Sequence, residues 1–526
     1  MGEVIKKINK NIWILLVIVA VGIIFRTYNF HEGVRFNADQ ARDAALVEQV
    51  VRGESGWPFL GPKAGGTDFY LGPIFYHFQI ISAKIFGSAP DVVAYPDLFF
   101  SILSVPLLYF FLKKYFSEKL ALSLAALYTF SFYAIKYSRF VWNPNSTPFW
   151  TMLFLLALLQ IVDSQGKRKI LWSVVAGVAV GVGVQLHTFL LVVMPILVVA
   201  YFVYLGVKEK RWLWKNFLFI VLASLAINVP QIYGEILTGG DNIRALFEGA
   251  EIKKEDKGLI AKIGRTGECL MTAGAFTISS FGESDECKIL PVKTEKNVLD
   301  LILGGMLFLG GLGLTIWRLV KEVNELKKRF LGLILAYAGL LALLMMPVAF
   351  ELSLRYFLII AFLPFVFLGL WLELLIEKFE KKGFLISLAI IIVLAGANLW
   401  TTTNFFKAVD GYTEKSSMKG FDNVYLGELE MMAKHIALES DQNSKVFLDG
   451  NNNYMFKASK GLIYLAKKEG VNLQVLDDEN STAGDIFFNL VSTESKDKKI
   501  ESMEKTSEVL SFKSFGRFGL IKYRSK

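Results

Sequence analysis

The sequence predicts a polytopic α-helical membrane protein with a small α/β domain at its C-terminal end. The chain has 526 residues, of which 53% are hydrophobic, and its mean hydropathy is +0.44. These values are typical of proteins that cross the membrane several times. Long apolar segments recur as far as about residue 401, whereas the rest of the chain is hydrophilic. Basic residues cluster in every second loop between the apolar segments, which predicts a defined orientation.

The first apolar segment, residues 12–25, follows three lysines, Lys6, Lys7 and Lys10. A basic start followed by an apolar core also describes a signal peptide. No small-x-small cleavage site comes after this segment, so we expect an uncleaved first helix. The lysines predict a cytoplasmic N-terminus, and the first helix then leads to the outer face.

Residues 36–90 form the first external loop, which is rich in charges, aromatic residues, glycine and proline. Each charge would cost at least a few kcal/mol near the membrane centre, so this stretch is predicted to lie at the membrane surface. The run from Asp39 to Val51 lacks Gly and Pro and predicts a short helix with carboxylates in its first turn. Asp39 would also suit a simple helix N-cap. A second juxtamembrane helix is predicted over 74–86.

The remaining apolar segments bring the predicted number of crossings to about eleven, although some are short for a bilayer that requires about twenty residues. We expect them at 92–112, 120–137, 147–162, 170–186, 188–205, 214–229, 298–317, 330–350, 356–376 and 384–401. The five basic clusters between them all fall on the cytoplasmic side. If residues 74–86 crossed the membrane, every later loop would change sides and the positive-inside rule would fail. We therefore expect a multi-pass protein of the cell membrane.

The two cysteines, Cys269 and Cys287, fall in the long external loop predicted over 231–297. In an oxidising compartment they would form a disulfide, which is the pairing that we predict. Two free thiols are the alternative. The pair is a poor metal site because no further Cys or His is nearby.

The hydrophilic tail, residues 404–526, is predicted to be an extracytoplasmic α/β domain behind a membrane domain of residues 1–403. Short strands are expected at 445–448, 473–476, 485–490, 509–512 and 519–523, with a helix at 454–468 between the first two. The tail lacks a glycine-rich phosphate motif and has one histidine, His435. Its composition therefore gives no indication of catalysis.

Five motifs occur in order along the first 400 residues. They are NADQARDAA from Asn37, FYLGPIFYH from Phe69, YSRFVWNPN from Tyr137, QLH ending at His187 and LRYFLIIAFLP from Leu354. Together with their predicted sidedness they resemble the GT-C superfold of lipid-linked-sugar glycosyltransferases. The group that the chain resembles most is that of the protein O-mannosyltransferases and aminoarabinose transferases.

The resemblance implies inverting transfer of a sugar from a polyprenyl-phosphate monosaccharide to a hydroxyl acceptor on a protein, a lipid or a cell-envelope glycan. An alcohol needs a general base as it attacks the anomeric carbon. By the resemblance, Asp39 matches the first-loop aspartate and is the predicted base. Asp43 lies one helical turn further on and shares its face.

The leaving group would be an anionic lipid phosphate, which needs cations at the membrane surface. Arg139 and Arg355 are the candidates, each at the outer end of a span, with Arg42 beside the carboxylates. Both Arg139 and Arg355 would also suit interfacial anchors that reach the lipid head groups. Arg355 is favoured because the resemblance at LRY points to phosphate binding.

Sugar or acceptor binding is assigned to a further set of residues: Asn143, Asn145, His187, Tyr70 and Asp68. Asn143 and Asn145 stand where many relatives carry aspartate, and amides are poor sole ligands for a hard cation. We therefore favour no metal and no cofactor, although a divalent cation stays possible. Each assignment has a structural alternative. The asparagines would also suit a turn, and His187 would also suit a packing role. The aromatic residues would also suit an interfacial belt. LGP from Leu71 lacks the lysine of the aminoarabinose transferases, which argues against an aminoarabinose donor.

Three alternatives remain open at this stage. The first is an oligosaccharide transferase, against which the asparagines count because they weaken a metal site. The second is a flippase or transporter of lipid-linked glycans, which would carry ionisable residues near the membrane midplane. The third is a non-enzymatic scaffold for envelope assembly. No basic stripe or motif indicates a nucleic-acid partner, and the expected partners are the donor, the acceptor and membrane lipids.

Overall fold

The computed structural model describes residues 10–252, 257–280, 287, 295–411, 424–440, 445–450, 452–476 and 485–525. Between residues 10 and 237, all of which the structure describes, the chain forms ten α-helices. They are α1 (Lys10–Thr27), α2 (Ala38–Val51), α3 (Ile74–Phe86), α4 (Tyr95–Leu112), α5 (Glu118–Phe130), α6 (Phe132–Tyr137), α7 (Thr147–Asp163), α8 (Gly166–Leu186), α9 (Thr188–Val207) and α10 (Trp214–Leu237).

The second half adds the helices of the long loop, the last membrane helices and the C-terminal domain. The helices are α11 (Asp241–Ile252), α12 (Leu259–Ser279), α13 (Glu295–Gly305), α14 (Gly311–Lys321), α15 (Glu325–Met345), α16 (Leu363–Gly411), α17 (Leu426–Glu439), α18 (Asn452–Lys468) and α19 (Lys496–Met503). A π-helical turn, Met306–Gly310, joins α13 to α14, and a 3₁₀-helix, Leu354–Ile360, precedes α16.

The prediction of a multi-pass helical membrane protein is confirmed. Within the described residues, eight helical segments are long and apolar enough to cross a membrane. The last of them, α16, breaks at Glu380, where φ is +46°. The chain then folds back, since Ser387 Oγ lies 3.4 Å from the Leu372 carbonyl oxygen. The second arm of α16, together with the shorter α5 and α7, would account for the three remaining predicted crossings, and the total of eleven stays a prediction.

Both predicted helices of the first loop are present. α2 spans 14 residues and α3 spans 13, which is too short to cross a bilayer core. The apolar positions of α2, among them Ala41, Ala44, Val47 and Val50, are buried. This face packs against α3 and against α18 of the C-terminal domain. Burial of the apolar stripe therefore holds α2 between two parts of the protein.

The C-terminal domain is built on one five-stranded sheet with the order β2-β1-β3-β5-β4. The strands are β1 (Val446–Gly450), β2 (Leu473–Val475), β3 (Ile486–Ser492), β4 (Ser507–Phe515) and β5 (Phe518–Ser525). β1 pairs in parallel with β2 and β3, whereas β5 is antiparallel to both β3 and β4. All five predicted strands and the helix between β1 and β2 are confirmed. The flanking helices α17 and α19 are additions that the sequence analysis did not include.

The C-terminal domain is tied directly to the first external loop. The Phe36 N–H donates to the Val424 carbonyl (2.9 Å), and the Leu426 N–H donates to the Val34 carbonyl (2.8 Å). On the other side of α2, the Tyr464 hydroxyl donates to Glu48 at 2.8 Å. These contacts place the C-terminal domain against the helix that carries the predicted catalytic carboxylates.

Candidate active site

The candidate site begins at the N-terminus of α2. Asn37 occupies the N-cap, and its backbone N–H donates to Gln40 Oε1 at 3.0 Å. The cap position is therefore filled by Asn37, so Asp39 is not needed for capping. The Asp39 side chain is 66% exposed and projects from the first helical turn, where the helix dipole favours a carboxylate.

Arg42 lies between the two carboxylates of α2. Its Nη1 donates to Asp39 Oδ1 at 3.1 Å, and its Nε donates to Asp43 Oδ1 at 2.9 Å. The same Asp43 oxygen accepts a hydrogen bond from the Tyr76 hydroxyl at 3.0 Å. The predicted pair of carboxylates on one helix face is present, and a shared guanidinium separates the two charges. Arg42 is thus occupied by Asp39 and Asp43, and its predicted role at the donor phosphate stays a prediction.

The two carboxylates have different environments. Asp43 has a side chain that is only 3% exposed, and this burial raises its pKa to about 6, against the opposing effects of Arg42 and Tyr76. Burial and the nearby carboxylate also raise the pKa of Tyr76, so its hydroxyl keeps its proton. Asp43 is therefore enclosed and holds Arg42 in place, whereas Asp39 is accessible to a substrate.

A second part of the site is the turn that follows α6. Its backbone is fixed beside α2, because Gln40 Nε2 donates to the Val141 carbonyl at 2.7 Å. The next residue, Trp142, stacks near Phe140 with 6.2 Å between ring centroids. The Arg355 guanidinium lies 5.5 Å from the centre of the Trp142 ring. A short chain of contacts thus connects the start of α2 with Arg355.

Arg355 itself is exposed, and its position is set by the backbone around it. It lies at the start of the 3₁₀-helix, where the Tyr133 hydroxyl donates to the Leu354 carbonyl at 2.7 Å. Its guanidinium also lies 5.5 Å from the ring of Tyr356. Two aromatic faces therefore orient this cation, and such a cation suits a phosphate.

Arg139 occupies a different position from the one that we predicted for a phosphate ligand. It is 2% exposed, and its guanidinium donates to the backbone carbonyls of Arg26, Tyr28 and Asn29. It also lies 5.3 Å from the Phe406 ring. These contacts join the end of α1 to the end of α16, so Arg139 stabilises the framework, and its predicted role at the donor phosphate stays a prediction.

The other predicted binding residues next to the Trp142 turn serve as structural contacts. Asn143 donates to the Leu186 carbonyl at 2.8 Å, and Asn145 donates to the Phe140 carbonyl at 2.7 Å. His187 Nδ1 accepts from the Phe189 N–H at 3.2 Å and so caps α9. Burial lowers the pKa of His187 to about 4, which keeps the ring neutral. These contacts match the turn and packing alternatives, and roles toward a substrate stay predictions.

Tyr70 and Asp68 lie in a separate hairpin. Lys63 Nζ pairs with the exposed Asp68 at 2.8 Å and lies 5.3 Å from the Tyr70 ring. The Tyr70 backbone is bound on both sides by Asn242 of α11 (2.7 and 3.1 Å). The hairpin is therefore held against α11.

The predicted disulfide is not formed in the structure. Cys269 and Cys287 are both buried and both free, although the two thiols are close enough to hydrogen-bond. Cys287 also contacts the Leu352 carbonyl at 3.5 Å. Buried thiols in such a position pack as small apolar groups. Among the residues that the structure describes, no three His, Cys, Asp or Glu side chains are arranged to hold a metal ion.

Two polar groups that contact the site are not among the predicted site residues. The Tyr76 hydroxyl is a hydrogen-bond donor to Asp43. Asp97 of α4 is buried, and its Oδ2 accepts from the Trp142 N–H at 3.2 Å. A lone carboxylate within an apolar segment is a signal for a functional position, and that signal would have identified Asp97.

The fold is similar to those of two solved membrane-protein structures, in line with the resemblance to the GT-C superfold. The crystal structure of ArnT from Cupriavidus metallidurans bound to undecaprenyl phosphate matches with a TM-score of 0.55 at 13% identity, over 98% of each chain. Its apo form matches with a TM-score of 0.55 at 12% identity, over 96% of this chain and 97% of that one. The oligosaccharyltransferase AglB from Archaeoglobus fulgidus, in complex with an inhibitory peptide and a dolichol-phosphate, gives 0.52 at 13% identity, over 97% of this chain and 74% of that one.

More particularly, the chain is similar to the protein mannosyltransferases and aminoarabinose transferases within this superfold. The sequence model of the family described as dolichyl-phosphate-mannose-protein mannosyltransferase matches residues 71–233. The matched stretch includes Tyr76, Asp97 and the Trp142 turn, and it begins after α2. No sequence among the curated proteins is similar enough to count as a match.

Proposed function

We propose that the protein is an inverting glycosyltransferase, which moves a sugar from a polyprenyl-phosphate monosaccharide to a hydroxyl acceptor on the outer face of the membrane. One observation carries the proposal: the accessible carboxylate of Asp39 and the aromatic-supported cation of Arg355 belong to elements joined through the Gln40 and Trp142 contacts. A base and a phosphate ligand are the two groups that this reaction requires. The GT-C fold supports the same class of reaction.

In the proposed step, the acceptor oxygen forms a bond to the anomeric carbon as the bond from that carbon to the phosphate oxygen breaks. Asp39 takes the proton of the acceptor hydroxyl. The electron pair of the broken bond stays on the lipid phosphate, and Arg355 stabilises the negative charge that develops there. Attack on the face opposite the leaving group inverts the anomeric configuration.

Arg42 has a positioning role in this proposal. Its bonds to Asp39 and Asp43 fix the rotamer of the base. Asp43, being enclosed, acts by holding Arg42 rather than by touching the substrate. The donor sugar, the acceptor and the length of the lipid are specified by pocket shape and stay outside the proposal.

The test is transfer of radiolabelled sugar from polyprenyl-phosphate donors to acceptors in membranes that contain the wild type or Asp39→Asn at equal expression. Loss of the base lowers transfer by about 10²- to 10⁴-fold, while binding of the donor is retained. Full transfer by the variant would refute Asp39 as the base. Absence of transfer by the wild type with every donor would refute the proposed class.

Asp241→Asn provides the matched control. Asp241 also lies in the first turn of an external helix, is 70% exposed and pairs with an arginine three residues on, Arg244, at 3.2 Å. Its surroundings therefore reproduce those of Asp39, but without the connection to Trp142. We expect this variant to transfer sugar at the wild-type rate, so that a loss in Asp39→Asn cannot be attributed to loss of a surface ion pair.

A further inference from the structure

The turn that follows α1 carries a histidine between two carboxylates from separate parts of the chain. His31 Nδ1 lies 3.3 Å from Asp91 Oδ2, and His31 Nε2 lies 3.0 Å from Glu430 Oε2. Asp91 precedes the short 3₁₀ turn that leads into α4, whereas Glu430 belongs to α17 of the C-terminal domain. The imidazole ring of His31 therefore connects the membrane domain to the C-terminal domain.

The two contacts of His31 fit only one protonation state of its ring. A neutral imidazole donates a hydrogen bond from one nitrogen and accepts at the other, whereas an imidazolium donates from both. A charged carboxylate can only accept. Because one carboxylate lies at each nitrogen, both hydrogen bonds form only when His31 is protonated. Loss of the proton leaves one of the two carboxylates facing a lone pair.

Other charged groups of the elements around this turn have different partners. The pairs are Tyr28 with Asp410 of α16 (2.9 Å), Lys468 of α18 with Glu48 of α2 (3.5 Å), and Arg517 with Glu428 of α17 (3.4 Å). Glu32, next to His31, is exposed. Tyr95 of α4 donates to Asp91 Oδ2 at 3.3 Å. The charge that His31 meets is therefore set by Asp91 and Glu430.

The pKa values of the four histidines separate His31 from the rest. Burial lowers the pKa of His31, but Glu430 and Asp91 together more than offset this effect and raise it above its ordinary value of 6.5. Burial lowers the pKa of the other three, His77, His187 and His435. The contribution of His31 to stability is therefore complete below about pH 6.5 and is lost as the pH rises through its raised pKa.

We propose that His31 is a pH-dependent clasp, whose protonated ring binds Asp91 and Glu430 together and so tightens the docking of the C-terminal domain against the turn that follows α1. Two backbone bonds form the same junction: the Leu426 N–H donates to the Val34 carbonyl at 2.8 Å, and the Gly427 N–H donates to the Glu32 carbonyl at 3.3 Å. When His31 loses its proton, these two bonds open more often. The proposal concerns docking and does not depend on the proposed function.

The test is hydrogen–deuterium exchange of the full-length protein in detergent at pH 6 and pH 9, with labelling times scaled for the intrinsic rate of exchange. In the wild type, protection of the Leu426 and Gly427 amides should fall by about two- to fivefold between pH 6 and pH 9, in the range of one surface ion pair. His31→Gln carries no charge at either pH and should show the wild-type pH 9 protection at both. Protection of the β1 and β3 amides should stay unchanged, because the domain itself remains folded.

Two control variants lie on the same helix as Glu430. His435→Gln removes a histidine whose ring packs 5.4 Å from the Phe515 ring, and Glu439→Gln removes a carboxylate that pairs with Lys522 inside the domain at 2.9 Å. Both should keep the wild-type dependence on pH.

Three results would each overturn the proposal: protection in the wild type that does not change with pH, the same pH dependence in His31→Gln as in the wild type, or loss of that dependence in either control. A parallel fall in β1 and β3 would assign the effect to unfolding of the domain and would overturn it as well. The His31 side chain is 42% exposed, so its replacement by glutamine leaves the packing of the core unchanged.

Discussion

Asp43→Asn is the substitution that best separates the two carboxylates of α2. Asp43 is enclosed and accepts from both Arg42 and Tyr76, and its burial raises its pKa to about 6 from an ordinary value of 3.8. Asparagine has almost the same shape but carries no charge at any pH. The substitution therefore removes a titration that the wild type undergoes within the range of ordinary buffers.

The direction of the effect on stability follows from proton binding. Between about pH 4 and pH 6 the folded state holds a proton on Asp43 that the unfolded chain has released, so the free energy of unfolding falls as the pH rises. Each pKa unit corresponds to about 1.4 kcal/mol, and a shift of about two units gives about 3 kcal/mol. This stabilisation is complete below about pH 4 and is lost as the pH rises through about 6.

The first assay is the midpoint of thermal unfolding in detergent, measured for both proteins from pH 4 to pH 7.5. Relative to Asp43→Asn, the wild type should lose about 3 kcal/mol over this range. With about 2.1 cal/mol/K of unfolding entropy per residue, this corresponds to about 3 °C for a chain of this length. A difference between the two midpoints that does not change with pH would refute the raised pKa of Asp43.

The second assay is the pH profile of sugar transfer. Because only charged Asp43 holds Arg42 beside Asp39, transfer should fall as the pH drops through about 6. Tyr76→Phe removes a hydrogen bond to the charged carboxylate, worth about 1.5 kcal/mol, so the acidic limb should move up by about one pH unit. An acidic limb at the same pH in Tyr76→Phe as in the wild type would refute the arrangement.

Two further predictions concern contacts that support the site. Asp97→Leu should raise the KM for the donor, because Trp142 loses the acceptor that fixes its backbone. Asp97→Asn keeps an acceptor and should retain most of the activity. In a Trp142→Ala background, Asp97→Leu should cause no further loss, and additive losses would contradict the role of Asp97. Tyr464→Phe removes the hydrogen bond to Glu48 and should destabilise the docking of the C-terminal domain by about 1.5 kcal/mol. The measurement is limited proteolysis, which should become faster in the variant. An unchanged rate of proteolysis would exclude a contribution from this bond.

Local patterns were sufficient for most of the fold. The two helices of the first loop and the strands of the C-terminal domain follow from periodicity and from the position of Gly and Pro, which act over a few residues. The helix α17 was missed because its 14 residues mix acidic and apolar positions, and its buried face becomes apparent only when it packs on α18. The helices α5 and α7 are short, so the length of their apolar segments does not decide whether they cross the membrane.

The candidate site was less accessible to prediction, because it depends on which residues meet across long separations in sequence. Asp39 and Arg355 were predicted from motifs, both side chains are exposed, and their roles stay predictions. Arg139 matched the same criteria, an arginine at the outer end of a span with aromatic neighbours, yet its guanidinium binds backbone carbonyls of the α1 end. Sequence pattern cannot distinguish these two arginines, since the distinction lies in whether backbone carbonyls come within reach.

The position of Asp39 depends on both domains at once. Before Asn37, the Phe36 N–H donates to the Val424 carbonyl of the C-terminal segment. After Asn37, Gln40 donates to the Val141 carbonyl. Val141 precedes Trp142, whose ring contacts Arg355. Because these bonds lie within one turn of the helix start, together they set the angle at which α2 enters the site. The C-terminal domain is therefore part of the framework that holds the helix of the proposed base, and a rigid framework of this kind is what transfer between two positioned groups requires.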